Sequence, residues 1–271
     1  MSVYLHMTVL VLYGAATLLY LLYLVRPRES LGRISRWVLA AGFFCHCAFT
    51  LFRYVEAGHT PITNLHESLS FFSLTIVGVF LGFQHRYRAA ILGSFVTPLA
   101  LLIMVTSTIF PSAIVPLNPA LKSSWLGFHT VAAFAAYAAF AIAFCAGIMY
   151  LLQEHFLKKK KLGALYHRLP SLEVLDDINY RCLTIGFPLL TIAIISGAIW
   201  AESAWGAYWS WDPKETWSLI TWFVYAALLH GRLTTGWRGS RAAILAIVGF
   251  CVLLFTFLGV TLLLPGLHSY R

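Results

Sequence analysis

The chain is short of charge. Only 11% of its 271 residues are Asp, Glu, Lys or Arg and 60% are hydrophobic, where a soluble domain carries roughly 25% charged residues. Too few polar side chains are available to coat a water-facing globule, so the composition predicts an all-α polytopic membrane protein. The five cysteines, Cys45, Cys47, Cys145, Cys182 and Cys251, form no CxxC pair and no CxxCH run. That excludes a thioredoxin-like motif and a haem covalently attached within this chain. Most sit in apolar runs and read as buried thiols. No basic residue precedes the first apolar run, and that run, 3–25, is too long for a cleavable signal, so it is expected to stay as a span. Internal repeats and low-complexity tracts are also missing. The balance is basic, +9, but no contiguous soluble basic face exists to hold nucleic acid, which is excluded as a partner.

What the chain does have is long apolar stretches. About 20 such residues cross a bilayer, and spans are expected near 3–25, 37–54, 67–83, 90–110, 127–153, 180–200, 213–230 and 242–264. The fold predicted is a bundle of about eight transmembrane helices. It forms one integral membrane domain over 1–271, with two spans in 1–60 and the remainder in 61–271. With the loop after the first span on the cytoplasmic side, fifteen of the nineteen Lys and Arg fall inside with five acids, against four and five outside. The net is +10 inside and −1 outside, which by the positive-inside rule places both termini externally. Pro98 and Pro188 lie within the fourth and sixth expected spans, where each removes a backbone donor. The longest soluble piece expected, 154–179, opens with Lys158, Lys159, Lys160 and Lys161 and reads as a cytoplasmic loop drawn to anionic lipid.

The most distinctive stretch is 200–217, which holds Trp200, Trp205, Tyr208, Trp209, Trp211 and Trp217. Tryptophans gather at membrane interfaces as anchoring belts, but belts occupy both interfaces. Here Trp125 and these five place six of nine tryptophans at one face. If the segment is helical, Trp205, Tyr208 and Trp209 share a side and form a platform for a large planar apolar ligand. Asp212, Pro213 and Glu215 have the spacing of a capping box with proline at the first helical position, and Asn64 and Glu67 repeat that spacing before the third span.

Ten histidines are many for such a chain. His129 lies at the outer end of the fifth span and His268 just beyond the eighth. Imidazole is a usual axial ligand of haem iron, although each of the two also reads as a solvated interfacial histidine. His230 follows Pro213 by seventeen residues on one helix, roughly 25 Å away, near the inner end. Ionisable groups at such depth are functional candidates, and His230 has no evident partner from this chain; His46, nearer mid-membrane, leaves room for a second ligand from another protein.

The run WGAYWSWDPKE at 205–215, flanked by SSWLGFH ending at His129 and by LLLPGLHSY containing His268, with His230 between, resembles the tryptophan-rich WWD signature of haem-handling proteins. In this order the motifs are similar to those of the CcsA/ResC-type subunits of System II cytochrome c synthases, over about 64–270. The resemblance implies that His129 and His268 are external axial ligands of haem b held at the loop by Trp205, Trp209, Trp211, Asp212 and Trp217. It implies that His230 ligates haem within the membrane, and that a CcsB/ResB-type membrane protein supplies the other ligand there. It further implies covalent attachment of haem to the CxxCH segment of an apocytochrome c, in a bacterial inner membrane or a thylakoid membrane, with membrane lipid as surroundings. The alternatives are a haem transporter or chaperone of the CcmC kind that ligates nothing, and a b-type electron-transfer cytochrome.

Overall fold

A backbone in hydrocarbon must satisfy its own N–H and C=O groups, and a helix does so within one segment. The computed structural model describes residues 2–87, 90–114, 123–160, 163–264 and 266, and among these every regular element is a helix. In chain order they are α1 (Ser2–Val25), α2 (Glu29–Ala57), α3 (Leu65–Tyr87), α4 (Gly93–Ser107), α5 (Ser124–Lys158), α6 (Ala164–Arg168), α7 (Leu172–Trp205), α8 (Pro213–Thr234), α9 (Ser240–Leu254) and α10 (Val260–Leu263). A 3-10 turn at Ala90–Leu92 leads into α4, and the π-helical segment Phe255–Gly259 joins α9 to α10. Seven helices among the described residues are long and apolar enough to cross a membrane, counting Ser240–Leu263 as one. The remaining expected span, the seventh, is α8. It forms a 22-residue helix, but Lys214, Glu215, His230 and Arg232 lower its hydropathy.

Helices outrun the apolar stretches that announce them. The piece 154–179, expected as a loop, is largely helical: α5 continues to Lys158, α6 follows, and α7 begins at Leu172. Ser171 caps α7 by accepting from Val174 N at 3.4 Å. Leu175 and Ile178, ahead of the expected span, continue the buried side of Cys182 within it at helical spacing. Pro98 and Pro188 sit inside α4 and α7 as expected.

The chain divides into two compact units, Met1–Pro116 with Phe156–Pro170, and Leu117–His155 with Ser171–Arg271. In the first, α1 packs on α2 and α4, and α3 packs on α4. Polar ties cross these apolar faces: Tyr20 Oη donates to Gln84 at 2.8 Å, Ser94 Oγ to the Tyr20 carbonyl at 2.7 Å, and Ser73 Oγ to the Ala100 carbonyl at 2.8 Å. In the second, α5 buries Ala136, Ala138, Ala139, Ala141, Ala143 and Ala146. These small residues let neighbouring helices approach closely. Phe140 stacks on Tyr225 of α8, and Trp222 Nε1 of α8 donates to Thr191 of α7 at 2.9 Å.

Candidate functional site

Two local devices build the tryptophan loop. Gly206 takes φ +77°, which ends α7 while its N–H bonds the Glu202 carbonyl at 2.9 Å. Glycine occupies that left-handed region without a Cβ clash. The segment 206–212 is therefore not helical, and the shared helical side expected for Trp205, Tyr208 and Trp209 does not form. Trp205 stays at the end of α7, edge-on to Trp200 at 4.9 Å, while Tyr208 and Trp209 lie in the loop.

The second device is the start of α8. Asp212 is the N-cap and accepts from Lys214 N at 3.1 Å, Pro213 opens the helix, and Glu215 completes the capping box by accepting from Asp212 N at 3.2 Å. Glu215 reaches further, accepting from Ser210 N at 2.8 Å and from Ser210 Oγ. One buried carboxylate thus grips the amides on both sides of Trp211. Trp211 takes φ +59°, uncommon for a bulky residue, and its carbonyl accepts from Thr216 Oγ1 at 3.3 Å. The indole projects from the loop, 70% exposed, with Trp209 edge-on at 5.8 Å.

Beneath the loop lies an open cleft of about 640 Å³, counting the space it shares with solvent, lined by His129, Tyr137, Gly197, Trp209, Lys214 and Thr256 among others. His129, in the second turn of α5, sends Nδ1 to the Ala193 carbonyl of α7 at 2.7 Å. A carbonyl only accepts, so Nδ1 carries the proton and Nε2 the lone pair, the arrangement found behind metal-ligating histidines. Gly197, one turn further along α7, makes this approach possible: a Cβ there would meet Nδ1 at 2.7 Å. The Trp209 indole N–H is buried without a partner among the described residues. A histidine of fixed tautomer, aromatic walls and an unsatisfied donor fit a large planar ligand with a metal at its centre.

Other residues complete the setting. Lys214 Nζ donates to Thr261 of α10 at 3.1 Å. Trp217 packs on Phe255 at 4.5 Å, at the start of the π-helical segment, and Thr256 within that segment bonds Thr221 at 2.7 Å. π-bulges recur at functional sites. Asp212 has a second neighbour besides its helix: a Cβ on Gly266 would collide with its Oδ1. Gly266 therefore lies against Asp212; His268, two positions on in the sequence, lies outside the described residues. His230 sits apart near the far end of α8, exposed. Its neighbours turn inward: Arg232 holds the Asp176 carboxylate with two nitrogens at 2.9 and 2.6 Å and lies over Tyr180, and Asp176 also accepts from Gly239 N. Gly197, Lys214 and Thr256 were not singled out in the sequence; the small run Ser196, Gly197, Ala198 inside an apolar helix was the available signal of a close approach.

A family model described as Cytochrome C assembly protein matches residues 62–268. The cytochrome c biogenesis protein CcsA of Guillardia theta is 42% identical over 237 residues, covering 80% of this chain and 79% of its own. The protein of the same name from Microcystis aeruginosa is 40% identical over 280 residues, covering 86% and 85%. Among solved structures, a chain named Cytochrome c Heme Lyase CcmF superposes with a TM-score of 0.68 at 17% identity. The match covers 95% of this chain and 46% of that one, and is a likeness of fold.

Proposed function

The chain belongs to the cytochrome c assembly protein family, and from that membership and the geometry of its loop we propose that it moves haem b through the membrane and presents it for covalent attachment to apocytochrome c. It acts in cytochrome c biogenesis as an integral membrane protein. The observation that carries the reading is His129, its tautomer fixed by Ala193, on the wall of a cavity roofed by the tryptophan loop.

Haem arrives from the cytoplasmic side and is held at His230 together with a histidine of a CcsB/ResB-type partner. The exposure of His230 supports a ligand shared across a protein interface. Haem then passes outward to the cavity, where His129 Nε2 and His268 take the two axial positions and Trp209, Trp211 and Trp217 contact the macrocycle. Asp212 caps the start of α8 and lies beside Gly266, two positions before His268 in the sequence. The loop faces the external side, in keeping with net charges of +10 inside and −1 outside, in a bacterial inner or a thylakoid membrane. The CxxCH segment of the apocytochrome enters there, and its histidine replaces one axial ligand. Each cysteine S–H adds across one vinyl C=C, sulfur to one carbon and hydrogen to the other. No electrons are gained or lost, and both thiols and the iron must enter the step reduced. The chain contributes orientation, which matters most when two sulfurs must meet two vinyls in one geometry, by apolar contact with its aromatic rings.

The test is to purify the chain with its partner, load haem, add a reduced CxxCH-bearing apocytochrome and look for haem that survives denaturation on the substrate. Covalent haem supports the reading. Haem loading without transfer to the substrate assigns the chain to delivery alone.

A further inference from the structure

The unit formed by Met1–Pro116 and Phe156–Pro170 contains a second cavity, none of whose lining residues belongs to the haem site proposed above. It has about 530 Å³ of open space, and its lining includes Val3, His6, Met7, Phe49, Arg53 and His66. His6 is 6% exposed, and both of its ring nitrogens are buried without a hydrogen-bond partner. That contrasts with its neighbours. His46, fully buried, has Tyr13 Oη on Nδ1 at 3.1 Å and Ser70 Oγ on Nε2 at 2.9 Å, so it is held by this chain and is no vacant ligand. His66 sends Nδ1 to the Ser107 carbonyl at 2.9 Å, which leaves Nε2 as its accepting nitrogen. Buried polar groups are ordinarily satisfied, and an imidazole with neither nitrogen engaged on a cavity wall marks a place for a ligand.

The charges around it narrow the chemistry. Arg53 is ion-paired with Glu67, both buried, and Glu67 is also held by Thr63 N and Oγ1 at 3.0 Å. Among the described residues of the wall, an anionic headgroup finds no uncompensated cation and a cationic one no uncompensated carboxylate. Arg53 Nε–H nevertheless remains buried without a partner, so the cavity offers donors without net charge. The walls are rings: His66 stacks on His6 at 5.0 Å and Phe49 stands edge-on to His6 at 5.4 Å. Val3 and Met7, also on the wall, are 62% and 54% exposed on α1, so the mouth adjoins an apolar surface. A neutral flat ring bearing oxygen that gives or takes a hydrogen bond, delivered from the lipid phase, satisfies each of these conditions. We propose that this cavity binds the headgroup of a lipid-soluble benzoquinone or its hydroquinone, through His6 and the Arg53 Nε–H.

The test uses the full chain purified in detergent with its partner. Decylubiquinone binding is titrated by calorimetry at fixed detergent for the unmutated chain, His6→Leu, Met7→Trp and Gly14→Ala. Gly14 is on the same helix with open space around its Cβ position. The expected result is saturable binding that weakens by roughly tenfold or more in His6→Leu, as when a buried hydrogen-bonding partner is removed. It also weakens when Met7→Trp fills the cavity, and is unchanged in Gly14→Ala. A photoreactive azidoquinone on the unmutated chain should label peptides containing 2–7, 49–53, 66 or 108–112, a result that does not depend on any variant folding. Non-saturable uptake, equal affinity in all variants, or labelling elsewhere overturns the proposal. None of these readouts depends on haem attachment.

Discussion

The imidazole of His129 lies against the backbone of Gly197, so close that a methyl group at that glycine would sit 2.7 Å from Nδ1. Together with the bond to the Ala193 carbonyl, this contact between α5 and α7 sets the place, ring plane and tautomer of the proposed iron ligand. Gly197→Ala leaves every proposed haem contact chemically intact yet displaces the ring. Haem occupancy at the loop is expected to fall roughly 10- to 100-fold, as for other losses behind a metal ligand. Optical spectra of haem titrated into the purified variant check this, and unchanged axial-ligand bands count against the role given to Gly197.

Glu215 governs the loop rather than the ligand. Glu215→Ala frees the amides of Ser210 and Asp212 on either side of Trp211, costing about 1–3 kcal/mol for buried donors left unmade. The strained Trp211 backbone then loses its restraint. We expect faster proteolysis between α7 and α8 and a red-shifted tryptophan emission, with Glu215→Gln intermediate. A loop equally resistant in all three proteins contradicts the assignment.

At the far end of α8 the Arg232–Asp176 pair, 7% and 18% exposed at the side chains, is a structural lock. Removing one partner by Asp176→Ala leaves the guanidinium uncompensated and is expected to cost about 3–5 kcal/mol. A lowered Tm with the loop-site haem spectrum of the folded fraction unchanged is the predicted pattern.

His230→Gly is expected to behave oppositely. The side chain is exposed and bears no side-chain hydrogen bond among the described residues, so stability should hold within about 0.5 kcal/mol. Haem recovered with the partner complex should fall, and added imidazole should restore it. A stable protein with full haem content removes His230 from the route.

These features differ in how far the sequence announced them. The capping box at Asp212 and Glu215 was legible because a cap is a local device. Membrane helices were legible because bilayer thickness sets their length, although their ends were not: charged residues stop a hydropathy run but not a helix, as α5 and α7 demonstrate beyond residues 153 and 180. The loop's course turned on one residue, Gly206, whose positive φ separates Trp205 from Tyr208 and Trp209. His129 was picked out by its motif, while its partners Ala193 and Gly197 lie 64 and 68 positions away and are brought to it only by packing. His6 carried no signal, since an unsatisfied imidazole is visible only once its surroundings are known.

The proposed roles of His129 and His268 as the two axial ligands of haem at the tryptophan loop are tested most directly by one spectrum. It is the reduced-haem absorption spectrum of the purified partner complex carrying His129→Gly or His268→Gly, with and without imidazole. Each variant should lose the bis-histidine bands and regain them when imidazole fills the gap left by the side chain. Unaltered spectra in both variants would contradict the ligand pair.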